Sequence, residues 1–299
     1  MVAYHVFYQS KEDGKYEYIN YLVQLASILF WKKNGGTISL YCNSKFLNSI
    51  KKWGIDKLYH EINTDCLDEI SFSQYIEKYW SFCKIQSAKK ISESQKEFVI
   101  LDTDLWIQDP ISIDNSFQFI GYHPEMIMNH PKNPYISPDN FMSNDDLKLF
   151  DWKVDPINCA IMYFNSSDLI EEWFRWVIKV INNNKDKEVR NISKDTIFIE
   201  QRLLPTIAVS LGMKIGTILP NVYYPHIESG NIGSEWIPKV GFSEENLYMC
   251  KNIKHVWGLK NNYDDPTKRN FVLKIVCDSL DKFFPKWKEE YSIIYNQII

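Results

Sequence analysis

The segment FVILDTDLWI, residues 98–107, decides how the chain is read. Phe98, Val99, Ile100 and Leu101 form an unbroken apolar run, the pattern of a strand buried on both faces. The run ends on Asp102 and Asp104, one residue apart, and Asp109-Pro110 then marks a turn. Carboxylates at the C-terminal end of a parallel strand stand where open α/β sheets bind ligands. Two hard oxygen donors so close together suit a divalent cation such as Mn²⁺ or Mg²⁺. An Asp-x-Asp pair alone is a weak signal, and the apolar strand ahead of it gives it weight.

Upstream, AYHVFY at 3–8 predicts a strand, Tyr16 to Lys33 a helix stopped by Gly35-Gly36, and TISLYC at 37–42 a second strand. Ser44 is the expected cap of a helix ending near Trp53-Gly54. A short strand is expected around Lys57–Ile62, and helical spacing returns from Ser73 to Ile91. This alternation is the mark of a parallel sheet built from βαβ units. Downstream, FQFIGY at 117–122, NCAIMYFN at 158–165 and KIGTILP at 213–219 read as strands. Between the first two, residues 123–157 are rich in Pro, Asn and Asp and predict a long loop with short helices. Ser166 or Ser167 is expected to cap a helix from Asp168 to Ile181. A further helical stretch follows Ser193 and runs to Leu211, kinked or split by Pro205 and stopped by Gly212. Residues 221–262 read as irregular, and the chain closes in helical sequence. No internal repeat or long linker is visible. The expectation is one α/β domain over 1–262 with a helical extension, 263–299, packed on it.

A chain of 299 residues can bury a substantial core, and 45% hydrophobic with 24% charged residues is an ordinary globular composition. A net charge of −4 and a pI of about 5.9 leave no basic field for nucleic acid. The 18 Tyr, 17 Phe and 10 Trp are first of all core material, with stacking on sugar or base rings as the sharper use. The six cysteines, Cys42, Cys66, Cys83, Cys159, Cys250 and Cys277, form no C-x-x-C pair. Several lie in apolar segments, which favours a reducing compartment and a cytoplasmic protein. MVAYHVFYQS at the start lacks the pattern of a signal peptide, and no run reaches the ~20 apolar residues of a spanning helix. Any membrane contact would be peripheral.

A second segment, HVWGLK at 255–260, carries three residues with chemistry. Neutral His255 is a metal ligand, Gly258 lets the backbone approach a bulky anion, and Lys260 is a compact cation suited to phosphate. A buried strand ending in D-x-D, followed late in the chain by H-x-x-G-x-K, resembles metal-dependent glycosyltransferases of the GT-A fold. The glycogenin and bacterial galactosyltransferase group is the most similar. NCAIMYFN also resembles that family's N-x-G-hydrophobic-hydrophobic-x-N segment, with Ala160 where a glycine is usual.

The resemblance implies a single GT-A-type, Rossmann-like domain with a mostly parallel central sheet. It implies a UDP-sugar donor with Mn²⁺ or Mg²⁺ on its diphosphate, and a glycan, lipid-linked glycan or protein as acceptor. Carried over residue by residue, Asp104 and His255 would bind the metal. Asp102 would assist the metal or contact the donor ribose. Lys260, beside Gly258, would hold the diphosphate, and Lys84 would touch the donor. Gln9 and Ser10 lie where the base docks, and Asn158 faces the sugar or acceptor. Glu200-Gln201 resembles an acidic-Gln pair near the acceptor. Asp151, Asp155 and Glu200 are all candidates for a base or nucleophile, and the family tilts the expectation toward retention. The other histidines, His5, His60, His123, His130 and His226, are expected to be hydrogen-bonded structural residues.

Two rivals stand beside this reading. A haloacid-dehalogenase-type phosphatase also uses an apolar strand ending in D-x-D. That family favours Thr or Val two positions on, where Trp106 stands here, and its motif normally opens the fold. A nucleotide-sugar- or glycan-binding protein without catalysis is the other.

Overall fold

A computed structural model describes the chain except for residues 70–78, 125–137, 139–140, 185–195, 220–251, 257–262 and 299. Its strands are β1 (Val2–Phe7), β2 (Thr37–Cys42), β3 (Ile62–Asn63), β4 (Phe98–Leu101), β5 (Leu105–Ile107), β6 (Phe119–Gly121), β7 (Ile161–Phe164), β8 (Ile215–Thr217) and β9 (Ile253–His255). The fold is α/β, with a mostly parallel central sheet of seven strands and a helical C-terminal part. Two compact units are distinguishable: Met1–Thr64 with Leu101–Ile111 and Pro225–Ile299, and Asp65–Ile100 with Ser112–Tyr224.

In the first unit, β1, the helix α1 (Tyr18–Lys33) and β2 form the expected βαβ turn, with Val2–Phe7 in parallel register with Thr37–Cys42. Helix α1 buries residues around nearly its whole circumference, including Leu22, Leu25, Ala26 and Ile28. A helix this apolar must be covered on several sides. The C-terminal helix Pro266–Phe283 supplies one cover, where Phe30 meets Phe283 and Phe284 edge-on at 5.2 and 5.0 Å. Gly35 ends α1 in a left-handed turn at φ +83°, as its Gly-Gly stop requires.

Two local expectations in this unit are corrected. The cap of α2 (Ser44–Lys52) is Asn43, which stays extended and accepts from the Phe46 N–H at 3.3 Å; Ser44 is already helical. Of the strand expected at 57–62, Lys57 and Leu58 lie instead in a 3₁₀ turn, Ile55–Leu58, launched by left-handed Gly54; backbone bonds to β2 begin at His60, whose N–H donates to the Ile38 carbonyl at 2.8 Å, and lead into β3.

In the second unit the strand order is β4-β7-β6-β8, with β6 antiparallel to β7 and parallel to β8. The expected strands at 117–122, 158–165 and 213–219 are all present in shorter form. Helix Ser167–Asn183 is capped by Ser166, which accepts from the Leu169 N–H at 3.2 Å. It packs on helix Phe82–Ser92 through Phe82–Phe174 and a Lys89–Glu171 ion pair; of the helix expected over 73–91, residues 79–81 are not helical and the helix starts at Phe82. Pro205 does split its helix: a π-type turn, Phe198–Arg202, precedes the α-helix Leu203–Ser210. Pro205 has no N–H to give the Gln201 carbonyl, which accepts instead from the Ile157 N–H at 2.9 Å. Gly212, at φ +69°, is the stop. No helix among the described residues is long and apolar enough to cross a membrane.

Candidate metal centre

The metal-binding candidates are assembled by backbone pairing. After β4 the chain turns, with the Leu105 N–H on the Asp102 carbonyl at 3.3 Å, and re-extends as β5. β5 pairs antiparallel with β9, so that Leu105 lies opposite His255, Trp106 opposite Lys254 and Ile107 opposite Ile253. The ladder continues at both ends, through Val256 N–H to Asp104 O at 3.0 Å and Gln108 N–H to Asn252 O at 2.8 Å. This register sets His255 beside Asp104. β9 is a correction to the reading of 221–262 as irregular throughout: three residues there pair with a strand far away in sequence.

Ligand atoms of Asp102, Asp104 and His255 all lie within 4.8 Å of one another. His255 Nε2 is 3.6 Å from Asp104 Oδ1. Asp104 and His255 are buried, and Asp102 is half-buried. One ion at ordinary oxygen-ligand distances of ~2.0–2.6 Å holds donors at most ~4–5 Å apart, so a single cation can touch all three. Two carboxylates and one imidazole, without a thiolate, suit a hard or borderline divalent ion. Such an ion would also offset the cost of burying carboxylate charge.

The surroundings are held neutral. His5, buried on β1, bonds to the Tyr59 hydroxyl at 2.8 Å and Ser27 Oγ at 2.9 Å. Burial pushes its pKa down to about 3, against an opposing pull from the Asp104 carboxylate. Tyr263, which the sequence reading did not single out, donates to Asn20 Oδ1 at 3.0 Å. Burial, and then the Asp104 and Glu17 carboxylates, raise its pKa and keep the phenol protonated. No local pattern marks Tyr263; Asn20 and Glu17, at the start of α1, and Asp104, just before β5, are far from it in sequence.

The remaining candidates fall into three groups. Gln9 is buried at the end of β1, its backbone bracketed by Asn43: the Gln9 N–H donates to Asn43 Oδ1 and the Asn43 side chain donates to Gln9 O. Neighbouring Ser10 is exposed, and its carbonyl accepts from Lys45. In the second unit, Lys84 and Glu200 meet in an ion pair of 2.6 Å, at 7% and 1% side-chain exposure. Lys84 also donates to the Cys159 carbonyl at 3.3 Å. Asn158 is buried, accepts from the Ala160 N–H at 3.0 Å and donates its own N–H to the His123 carbonyl. Asp151 and Asp155 are exposed, and Asp151 caps the Lys153 N–H of its own turn. Gly258 and Lys260 lie outside the described residues, as do His130, His226 and Cys250. His5 and His123 are buried and hydrogen-bonded, as expected of structural histidines. Cys42, Cys66, Cys83 and Cys159 are buried.

No protein-family model and no curated protein matches the chain at the sequence level. Solved structures do match. A galactosyltransferase, LgtC, solved with donor and acceptor sugar analogs, is 11% identical with a TM-score of 0.50, over 97% of this chain and 99% of that one. An active-site mutant of LgtC is 10% identical over 93% of this chain and 96% of that one, with a TM-score of 0.45. Mouse xyloside xylosyltransferase 1 is 11% identical over 85% of this chain and 96% of that one, with a TM-score of 0.41. At such identities the likeness speaks for architecture, and the first match spans both chains almost end to end. The chain has the GT-A type of fold, the architecture of the galactosyltransferase it matches.

Proposed function

We propose that the protein is a metal-dependent glycosyltransferase that moves a sugar from a UDP-sugar to an acceptor hydroxyl. The observation that carries this is the convergence of Asp102, Asp104 and His255 at the end of β4. Asp104 and His255 would hold Mn²⁺ or Mg²⁺, with Asp102 on the metal or the donor ribose. A bound divalent ion supplies charge stabilisation for the departing diphosphate, without proton transfer. Lys260 adds a fixed positive charge to the same leaving group, and Gly258 leaves room for it. Gln9 and Ser10 take the base, and Asn158 orients the sugar or acceptor.

Glycosyl transfer passes through an oxocarbenium-like state, so a buried carboxylate facing the sugar could stabilise it. Glu200, held against Lys84, fits that part better than exposed Asp155. We favour retention. The acceptor is a glycan, a lipid-linked glycan or a protein.

The test is calorimetry with UDP and Mn²⁺, followed by turnover of UDP-sugars. Metal-dependent UDP binding that EDTA removes, with donor hydrolysis or transfer, supports the reading. Phosphate release from a simple monoester without any nucleotide sugar would establish a phosphatase instead. Tight donor binding with neither hydrolysis nor transfer would establish a binding protein.

A further inference from the structure

The first unit holds a second built polar site, at the C-terminal end of β1. Gln9 is 8% exposed, and its main chain is pinned on both sides by the Asn43 side chain at 3.0 and 2.9 Å. Among the described residues its carboxamide has one partner: Nε2 donates to Asp13 Oδ1 at 2.6 Å. A carboxylate only accepts, so this bond fixes which end of the amide is nitrogen. Tyr21 donates its hydroxyl to the same Asp13 oxygen at 2.8 Å, and burial keeps that phenol protonated. The other end of the amide, Oε1, is buried and accepts no hydrogen bond from any described residue. A buried carbonyl oxygen left in that state is costly, which makes it a place for a ligand's N–H.

The site is tied to the metal candidates through α1. Asn20 accepts from Tyr263, which lies in the field of Asp104, and the next residue, Tyr21, reaches Asp13. We propose that Asp13 is a positioning residue that holds the nitrogen of the Gln9 carboxamide and so leaves its oxygen to accept, so that the site selects a nucleobase presenting a ring N–H and rejects one presenting a ring lone pair. Uracil and cytosine differ in this way at N3. In a common pose uracil donates to Oε1, whereas cytosine sets acceptor against acceptor. The inference rests on the nucleotide-sugar reading above, and it adds a residue and a rule of selection to it.

The experiment titrates UDP and CDP, each with Mn²⁺, into the full-length wild type, Asp13→Asn and Gln9→Met. Wild type should prefer UDP by roughly 10-fold or more, the scale of one buried hydrogen bond exchanged for a repulsive contact. An asparagine at 13 can accept or donate, so the Gln9 amide can reverse. In Asp13→Asn the UDP/CDP preference should fall several-fold, with CDP binding more tightly than in wild type. General damage to the fold would weaken both nucleotides and leave their ratio alone. Gln9→Met should bring the ratio close to one by loss of UDP affinity, and it decides the matter if Asp13→Asn does not fold. Metal-dependent UDP binding with an unchanged ratio in the variants overturns the role of Asp13 and leaves the donor reading standing. Binding of neither nucleotide to wild type overturns both.

Discussion

Removing one partner of the Lys84–Glu200 pair should destabilise the protein far more than removing both. The two charges are 2.6 Å apart, with side chains 7% and 1% exposed. At an effective dielectric of ~20 their attraction is ~6 kcal/mol, which the cost of drawing both from water largely cancels. The net worth of the pair is therefore small. Losing one member takes the 2.6 Å counter-charge away from the other inside the protein, at a cost of ~3–5 kcal/mol. That is a large fraction of the ~5–15 kcal/mol that stabilises a typical protein. Lys84→Met and Glu200→Gln should each lower the urea midpoint steeply, whereas Lys84→Met with Glu200→Leu should recover most of the loss. The Lys84 bond to the Cys159 carbonyl limits full recovery.

Equilibrium urea unfolding, followed by tryptophan fluorescence and far-UV circular dichroism, reads this out. A single-variant loss below ~1 kcal/mol, or a double variant no better than the singles, would refute the reasoning. The outcome also bears on function. If Lys84 leaves the pair to serve the donor, Lys84→Met would spare stability and strike turnover.

Asp104→Asn should keep the fold but abolish the rise in melting temperature with Mn²⁺, a rise equivalent to ~2.7 kcal/mol when the ion is at a hundred times its dissociation constant. His5 makes stability acid-sensitive. Its folded pKa of about 3 lies below the ordinary 6.5, so between those values the unfolded chain binds the extra proton. Stability then falls as pH drops below about 6.5, by up to ~1.4 kcal/mol per pH unit from this group, and His5→Gln should flatten the slope in urea unfolding at stepped pH. A Cβ on Gly121 would sit 2.1 Å from Ile157 Cγ2 and 3.1 Å from the Asn158 carbonyl. Gly121→Ala should cost ~1–3 kcal/mol in calorimetric unfolding, and adding Ile157→Ala should relieve it.

Much of the architecture is written locally. The apolar runs of β1, β2, β4 and β7 and the helical spacing of α1 are near-neighbour patterns, and each element formed where its residues placed it. So is the Asp-x-Asp end of β4, which marked one side of the candidate site. Capping was less legible: Asn43 and Ser44 both have cap chemistry, and only the backbone angles distinguish them. β9 was missed because IKH has no strand periodicity of its own; it extends because β5 offers an open edge. Glu200 and Lys84 could each be nominated from sequence, but nothing in either segment says that the two charges meet. Asp13 lies only four residues from Gln9, yet that spacing does not say that its carboxylate meets the Gln9 amide and fixes which way it points. Hydrophobic period and turn chemistry act over a few residues, and these the sequence by itself determined. The approach of His255 to Asp104 and the pairing of Lys84 with Glu200 depend on register and packing across the fold, and only the tertiary structure decided them.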